Sequence, residues 1–172
     1  AVSPAAAYAV AGNQTTLNGV GDVRKTAYER ANVATIANFD MYQSQNIVTH
    51  TVGPLGGTPL VNGASQNVTY AAAVGSNWSQ GLITDGWTAA AALRLNAGDV
   101  FTIAGVFAVN PVPGEGSKQA MPYLQQFTVL SDFSSSAGGA GTITISPPMI
   151  VSGPCQTVSA APADNAAITV LG

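Results

Sequence analysis

The chain has 172 residues, of which 47% are hydrophobic and only 8% are charged, and its net charge is −3. A chain of this length can bury about 70% of its unfolded surface, so it can form a core without a disulfide or a structural metal. Its five basic residues are too few for the clustered Lys and Arg of a dedicated nucleic-acid-binding protein. A surface this poor in charge is typical of a subunit covered by other protein, although a secreted or cell-surface protein of low charge has the same composition.

Two short helices are predicted near the N-terminus. Ser3 is a suitable N-cap for the first, Pro4 fits its first turn and Gly12 follows its end. Asp22 is the predicted cap of the second helix, whose apolar face would consist of Val23, Ala27, Ala31 and Ala34. Residues 39–42 then alternate as in an extended strand. No apolar run approaches the length of a transmembrane helix, and the first twelve residues lack the basic segment of a signal peptide.

From residue 47 onward the pattern indicates β-structure. Segments rich in Gly, Pro, Asn and Ser separate short apolar runs, which is typical of an all-β barrel or sandwich. The predicted strands are Ile47–Val52, Asn67–Ala72, Ile83–Trp87, Ala89–Leu95, Val100–Val109, Tyr123–Phe133, Thr142–Ser146 and Thr157–Ala160.

The predicted strand Val100–Val109 is a long apolar run without a charge, and a turn precedes it while Pro111 closes it. Simple alternation divides its side chains into a bulky face and a smaller one, and Gly105 in the middle marks a bend or a close backbone approach. The bulky face, expected to point into the core, consists of Phe101, Ile103, Phe107 and Val109. The next strand is expected to pack Tyr123, Phe127, Val129 and Phe133 against it.

The sequence offers little for catalysis or metal binding. His50 is the only histidine and Cys155 the only cysteine, so neither a Ser-His-Asp triad nor a zinc site has enough members. The carboxylates Asp85, Asp99, Asp132 and Glu115 lie in predicted turns or beside glycine, where acidic residues commonly have structural roles. We therefore expect no catalytic residue, no metal ligand and no cofactor-binding residue.

Four stretches resemble, in chain order, the major coat proteins of short-tailed phages of the Salmonella-phage type. They are "ANFDMYQSQNIVTHTVGPLGGTPLVNG", "LRLNAGDVFTIAGVFAVNPV", "YLQQFTVLSD" and "TITISPPMI". The resemblance runs from about Val20 to Gly172, and the blocks "GDVFTIAGVFAVNP" and "LQQFTV" are the most specific. Members of that family are much longer, so the chain is expected to be a fragment, or the ordered part, of a coat subunit.

The resemblance implies the tailed-phage capsid fold with an antiparallel β-barrel inserted into it. The expected fold class is therefore mainly β, with the barrel insertion domain attached to an α+β segment of the capsid fold. Residues 1–51 would belong to the capsid-fold domain, residues 52–163 would form the inserted barrel, and residues 164–172 would be a strand that returns to the capsid-fold domain.

The resemblance also implies two functional loops on the barrel. A loop that contacts a neighbouring capsomer falls near residues 74–85, with Asn77, Trp78, Gln80 and Asp85 as the candidate contact residues. A mobile loop falls near residues 110–122 and holds Glu115 and Lys118. The polar, Gly- and Pro-rich composition of the second loop independently favours mobility.

The resulting expectation is a structural subunit of an icosahedral tailed-phage capsid that encloses double-stranded DNA in the virion. Its expected partners are copies of itself and, during assembly in the cytoplasm of the bacterial host, a scaffolding protein and a portal. DNA would be enclosed without sequence-specific binding, and no membrane would be involved. The alternative is a carbohydrate- or surface-binding β-module, which predicts Trp78 and Trp87 exposed beside polar groups in a pocket. A hydrolase predicts a cleft with two facing carboxylates.

Overall fold

The computed structural model describes residues 9, 32–36, 39–42, 46, 49–112 and 116–171. The chain divides into two compact units, Ala1–His50 and Thr51–Gly172. In the first unit, strands β1 (Asn32–Ile36) and β2 (Phe39–Tyr42) form an antiparallel pair. The two predicted helices lie outside the described residues, apart from Ala9, which is helical. The predicted helical face is wrong at Ala34, which lies in β1 among the β-branched residues that favour a strand.

The second unit is built around a six-stranded antiparallel sheet. Its strands in chain order are β3 (Gly57–Val61), β4 (Gln80–Trp87), β6 (Val100–Val109), β7 (Ala120–Val129), β9 (Gly141–Ser146) and β10 (Ile168–Leu171). Their order in the sheet is β10-β6-β7-β9-β4-β3. A two-stranded sheet, β5 (Ala92–Leu95) with β8 (Phe133–Ser135), and one short helix, α1 (Tyr70–Gly75), complete the described elements.

The two edges of the six-stranded sheet meet over part of their length. Leu60 on β3 forms a bridge with Ala167, immediately before β10. The Val61 N–H donates to the Ala166 carbonyl at 3.0 Å, and the Asn165 N–H donates to the Val61 carbonyl at 2.9 Å. These bonds bring the sheet close to a closed antiparallel barrel, so the expected mainly β fold with an antiparallel barrel is confirmed.

The barrel interior is filled by large apolar side chains, each of which stabilises the fold by about 1.5–3 kcal/mol when it leaves water. Phe101 and Phe127 lie opposite each other on β6 and β7, with their ring centroids 5.8 Å apart. The other fully buried members are Leu82, Leu95, Ile103, Ile143, Ile145, Met149, Val61, Val106, Val129 and Val158.

Strand β6 has the predicted bounds but not the predicted faces, because Gly105 interrupts its alternation. Gly105 has φ +79°, and the register with β7 shifts between Thr102 and Phe107. A positive φ of this kind suits glycine and produces a bulge. Beyond the bulge Val106 is fully buried, whereas Phe107 is 38% exposed. The prediction that Phe107 points into the core is therefore wrong.

Other differences from the predicted strands have local causes. The described residues of Ile47–Val52 form no strand. The predicted strand Asn67–Ala72 does not form: its second half begins α1, because Thr69 caps a run of alanines and its side chain accepts a bond from the Ala72 N–H. Strand β3 was missed because its first residues, rich in Gly and Pro, resemble a loop.

The predicted strand Tyr123–Phe133 is two strands. β7 begins earlier, at Ala120, and ends at Val129, while Phe133 belongs to β8 in the small sheet. Phe127, Val129 and Phe133 are buried as expected, but Tyr123 is 56% exposed. Of Thr157–Ala160, only Val158 forms a β-bridge, with Ala108.

The C-terminal segment also differs from expectation. Residues 164–172 were expected to form a strand of the capsid-fold domain. Instead, Ile168–Leu171 is the edge strand β10 and pairs with β6, with Leu171 opposite Val100. The β-branched sequence Ile-Thr-Val, with Ile168 only 6% exposed, suits a strand that covers the core.

Candidate functional site

A buried carboxylate organises the turn between β5 and β6. Asp99 is completely buried, and its Oδ2 accepts hydrogen bonds from the N–H groups of Asn96, at 2.8 Å, and Gly53, at 3.1 Å. The first bond closes the turn, whereas the second spans 46 residues of sequence. Hydrogen bonds to a charged acceptor are the stronger kind, so Asp99 fixes the segment around Gly53 against this turn.

Both ends of the barrel unit meet at this turn, which we call the junction (residues 51–53, 96–100 and 171). The Asn96 side-chain amide donates to the Thr51 carbonyl at 2.8 Å. Leu171, at the other end of the described barrel, pairs with Val100. When the two ends of a folded unit lie close together, the unit can be inserted into another domain with little disturbance of that domain.

Close backbone packing makes Gly53 necessary at the junction. A Cβ added at this position would lie 2.5 Å from the Arg94 carbonyl oxygen and 2.6 Å from the Leu95 Cα. Real Cβ atoms do not approach backbone so closely, so any side chain here would push the incoming segment away from β5.

Arg94 supports the same region from inside the fold. It is only 8% exposed, and its guanidinium donates to Ser135 Oγ at 3.0 Å and to the carbonyls of Leu55, Thr88 and Ala90 at 3.1, 2.9 and 3.3 Å. A buried guanidinium needs several acceptors in fixed positions. Arg94 therefore ties the incoming segment and the bend after β4 to strand β8, a role that the sequence analysis missed.

Residues 74–85, predicted to contain a capsomer-contact loop, include the end of a helix, a turn and most of strand β4. Residues 74–75 end α1, residues 76–79 form a turn, and β4 begins at Gln80. Asn77 and Trp78, at the centre of the turn, have φ values of +50° and +59°. We call residues 70–79 the contact segment.

The contact segment presents an apolar cluster to the solvent. Tyr70 and Val74, one helical turn apart on α1, are each 54% exposed. The ring of the partly buried Trp78 lies edge-to-face with Tyr70, at 6.1 Å between centroids. Trp78 is held by its N–H, which donates to the Ala73 carbonyl at 2.8 Å, and by its carbonyl, which accepts from Ser146 Oγ at 3.1 Å. The cluster is therefore exposed but held in a fixed shape.

Gln80 does not belong to this exposed surface. It is 6% exposed. Its Oε1 accepts from the Met149 N–H at 2.8 Å and its Nε2 donates to the Gln66 carbonyl at 2.8 Å. A side chain with these internal partners stabilises the barrel, so Gln80 is a buried residue of the fold.

Asp85 lies within β4, six or more residues beyond the turn, and pairs with Leu60 of β3. It is partly buried and falls on the same face of β4 as Ile83, which is 50% exposed. Its Oδ1 is buried and has no hydrogen-bond partner in the part of the chain that the structure describes. The structure therefore separates Asp85 from Asn77 and Trp78.

The second predicted loop is the connection between β6 and β7. Asn110 closes it: its N–H donates to the Gln119 carbonyl at 2.9 Å, and its side-chain amide donates to the Gly116 carbonyl at 3.1 Å. Lys118 is partly buried, with φ +63°. Glu115 lies outside the described residues.

One cleft of the described surface is lined without ionisable side chains. A cleft of about 240 Å³ between the diverging parts of β3 and β10 is lined by Leu55, Gly56, Gly57, Pro59, Trp87, Ile168, Thr169 and Val170, none of them ionisable. Trp87 is only 3% exposed, and its indole N–H donates to Thr84 Oγ1 at 3.0 Å. The described residues contain no group of three His, Cys, Asp or Glu side chains suited to a metal ion. No helix among them has the length and apolar character required to cross a membrane.

Comparison with known proteins identifies the family. The family model described as P22 coat protein, gene protein 5, matches residues 1–172. The chain belongs to the P22 coat protein family. It is a structural subunit of a bacteriophage capsid, as the resemblance in the sequence predicted.

The solved structures include a similar coat-protein domain. The CUS-3 coat protein I-domain is 29% identical in sequence, the alignment covers 67% of this chain and 95% of that chain, and the TM-score is 0.42. The search of curated proteins gave no match.

Proposed function

We propose that the barrel of this P22-family coat subunit is a non-catalytic domain inserted into the capsid-fold domain to which residues 1–51 belong. Its role is to stabilise the subunit. The junction supports this proposal, because Thr51 and Leu171 are both held at residues 96–100. An inserted unit with a firmly fixed base transmits its rigidity to the domain that carries it. Asp99 and Arg94 are the residues that we expect to maintain this base.

We also propose that the contact segment binds a neighbouring copy of the subunit. Tyr70 and Val74 are about half exposed and the partly buried Trp78 packs against Tyr70, so the cluster presents an apolar surface of fixed shape that suits burial against protein. Asn77 lies at the outer edge of the same turn. In a closed shell each contact is repeated many times, so a small patch of this size is sufficient.

The remaining partners follow from this role. The shell is icosahedral, encloses double-stranded DNA without reading its sequence, and assembles in the cytoplasm of the bacterial host with a scaffolding protein and a portal. The composition supports the absence of specific DNA binding, since five basic residues and a net charge of −3 provide no strong attraction for phosphates. The loop at residues 110–119, with Glu115 and Lys118, is the mobile loop of the barrel on this view.

The first test is electron microscopy of the native particles from which this coat subunit comes. Closed icosahedral shells, with a barrel on each subunit, are expected. Small soluble oligomers from the same subunit would refute the proposed function.

A double variant, Tyr70→Ser with Val74→Ser, tests the contact segment. Both side chains are about half exposed, so the unassembled subunit should lose only about 0.5–1.5 kcal/mol, the contribution of the Tyr70–Trp78 ring contact, while the yield of shells should fall at least several-fold. Ala72→Ser is the matched control, because Ala72 is exposed on the other side of α1. Equal shell yields from the double variant and the control would show that the cluster is not a contact.

A further inference from the structure

Two glutamine residues flank the contact segment and meet at its base. Gln66 lies four residues before Tyr70, and Gln80 directly follows Ser79. The Gln80 Nε2 donates to the Gln66 carbonyl at 2.8 Å, across 14 residues of sequence. A compact surface segment whose two ends lie together in this way has the geometry of an Ω-loop. The bond therefore closes the chain between the two glutamines into one loop.

Gln80 also fixes this base to a second part of the barrel. Its Oε1 accepts from the Met149 N–H at 2.8 Å, and the Met149 carbonyl accepts from the Val68 N–H at 2.9 Å. Gln80 is 6% exposed and Met149 is fully buried, so the bond between them forms in an environment of low dielectric, where hydrogen bonds are stronger. The chain that enters α1 is therefore held against the core beside the start of β4.

The Gln66 side chain takes the place of one main-chain bond between β3 and β4. Just beyond the last pair of these strands, Val61 with Thr84, the Asn62 N–H donates to the Ile83 carbonyl at 3.0 Å. The return bond of a regular antiparallel pair would join the Ile83 N–H to the Asn62 carbonyl. Instead, the Ile83 N–H donates to Gln66 Oε1 at 2.7 Å, and Gln66 Nε2 donates to the Asn62 carbonyl at 2.8 Å. The amide of Gln66 is thus inserted between the two chain segments.

This insertion fixes the direction in which the chain leaves β3. Gln66 Nε2 also lies within hydrogen-bond distance of the carbonyls of Gly63, at 3.1 Å, and Ile83, at 3.0 Å. An amide with acceptors at its nitrogen and a donor at its oxygen is restricted to one orientation. Gln66 is only partly buried, so these bonds contribute more to its position than packing does.

We propose that Gln66 and Gln80 are positioning residues of the contact segment, and that their amides set the orientation in which its apolar cluster meets a neighbouring copy of the chain. The inference rests on the proposed function, because it requires this segment to be a contact between copies. Both glutamines act through the loop that they close and not by touching the neighbour. Their effect on assembly therefore depends on the apolar cluster, whereas their effect on folding does not.

The test is Gln66→Met in the full chain, because methionine has a similar length and forms none of the amide bonds. Gln66 is partly buried, so the variant should fold, with a small decrease in the unfolding midpoint of the unassembled subunit. The critical concentration for shell assembly of the folded subunit should rise at least several-fold, since a loosely held cluster must be ordered on binding. An unchanged critical concentration would overturn the proposal.

Gln156→Met is the matched control. Gln156 is also partly buried, and its Nε2 donates to the Val158 carbonyl at 2.9 Å in a different loop. This variant should also lower the unfolding midpoint slightly, and it should leave the critical concentration unchanged. An equal rise in critical concentration from both methionine variants would mean that assembly responds to lost stability in general, and it would contradict a positioning role.

Hydrogen exchange of the unassembled subunit gives a readout that does not depend on assembly. The Trp78 N–H, which donates to the Ala73 carbonyl at 2.8 Å, should exchange at least several-fold faster in Gln66→Met, because local opening of the loop becomes easier. Amides of β6 should exchange at the same rate in both proteins. Unchanged exchange at Trp78 would show that Gln66 does not hold the contact segment.

A double-mutant cycle separates positioning from other effects on the shell. In the background of Tyr70→Ser with Val74→Ser, Gln66→Met should cause no further rise in critical concentration, because the cluster that it orients has been removed. Equal rises in both backgrounds would refute positioning through the cluster, while the contact and the coat function would stand. Wild-type assembly by the background variant alone would refute the contact and this inference together. Absence of shells from the wild-type chain would refute the coat function itself.

Discussion

Removal of the Asp99 carboxylate is the most direct test of the junction. In Asp99→Ala, the N–H groups of Gly53 and Asn96 lose a charged acceptor at 3.1 and 2.8 Å in a fully buried position. A hydrogen bond to a charged group contributes about 1.5–3 kcal/mol. Two such bonds give an expected loss of about 3–6 kcal/mol, a large part of the 5–15 kcal/mol that is typical of a domain. Asp99→Asn should cost less, because its amide oxygen can take the place of Oδ2 and accept both bonds without the negative charge.

The assay is urea unfolding of the unassembled subunit, followed by the fluorescence of its two tryptophans, of which Trp87 is buried. With a urea dependence of about 1–3 kcal/mol per molar, a loss of 3 kcal/mol or more lowers the midpoint by at least ~1 M. Asp132→Ala is the control, since it removes one exposed hydrogen bond to the Ala97 N–H and should cost about 1 kcal/mol. An Asp99→Ala midpoint within 0.2 M or so of wild type, on the same urea scale, would show that the incoming segment is not held by this carboxylate.

Two further predictions test the bulge at Gly105 and the close packing at Gly53. Val106→Asp should prevent folding, because Val106 is fully buried, whereas Phe107→Asp should fold with a loss of about 1–2 kcal/mol, because Phe107 is 38% exposed. Circular dichroism and urea titration of both variants test this order of stability. The reverse order would disprove the bulge at Gly105. Gly53→Ala should destabilise the subunit by about 1–3 kcal/mol through contact with the β5 backbone, while Gly75→Ala, where a Cβ meets no atom within 4 Å, should be neutral or slightly stabilising in the same titration. Equal midpoints for the two alanine variants would contradict the close packing at Gly53.

Local sequence patterns predicted the barrel strands where the pattern was long and uninterrupted. Both ends of Val100–Val109 agree with the structure, because a turn before it and Pro111 after it mark the limits of an apolar run. The same pattern failed inside the strand. Gly105 can continue a strand or open a bulge, and the choice depends on the partner strand, which the local sequence does not contain.

The residues of the junction were not predictable in the same way. Asp99 had the sequence features of an ordinary turn residue, and the turn is real, but its second donor, Gly53, lies 46 residues away. Arg94 likewise has acceptors in three separate segments. For the contact segment, the resemblance to coat proteins predicts a contact near residues 74–85, but it does not distinguish the partly buried Trp78 in the turn from the buried Gln80 two residues further on.

The charge-poor composition and the junction support the same conclusion about how the subunit works. A shell built from many weak contacts requires each contact to form in one geometry, because small errors in orientation accumulate around a closed surface. Few surface charges leave apolar and hydrogen-bonded contacts to determine the interfaces, and these are short-ranged and sensitive to position. The barrel can present such contacts accurately only if its base does not move. On this reasoning Asp99 and Arg94, which lie outside the contact segment, should affect assembly through the position of the whole barrel. The stability lost in Asp99→Ala should be accompanied by misassembled particles among those subunits that still fold.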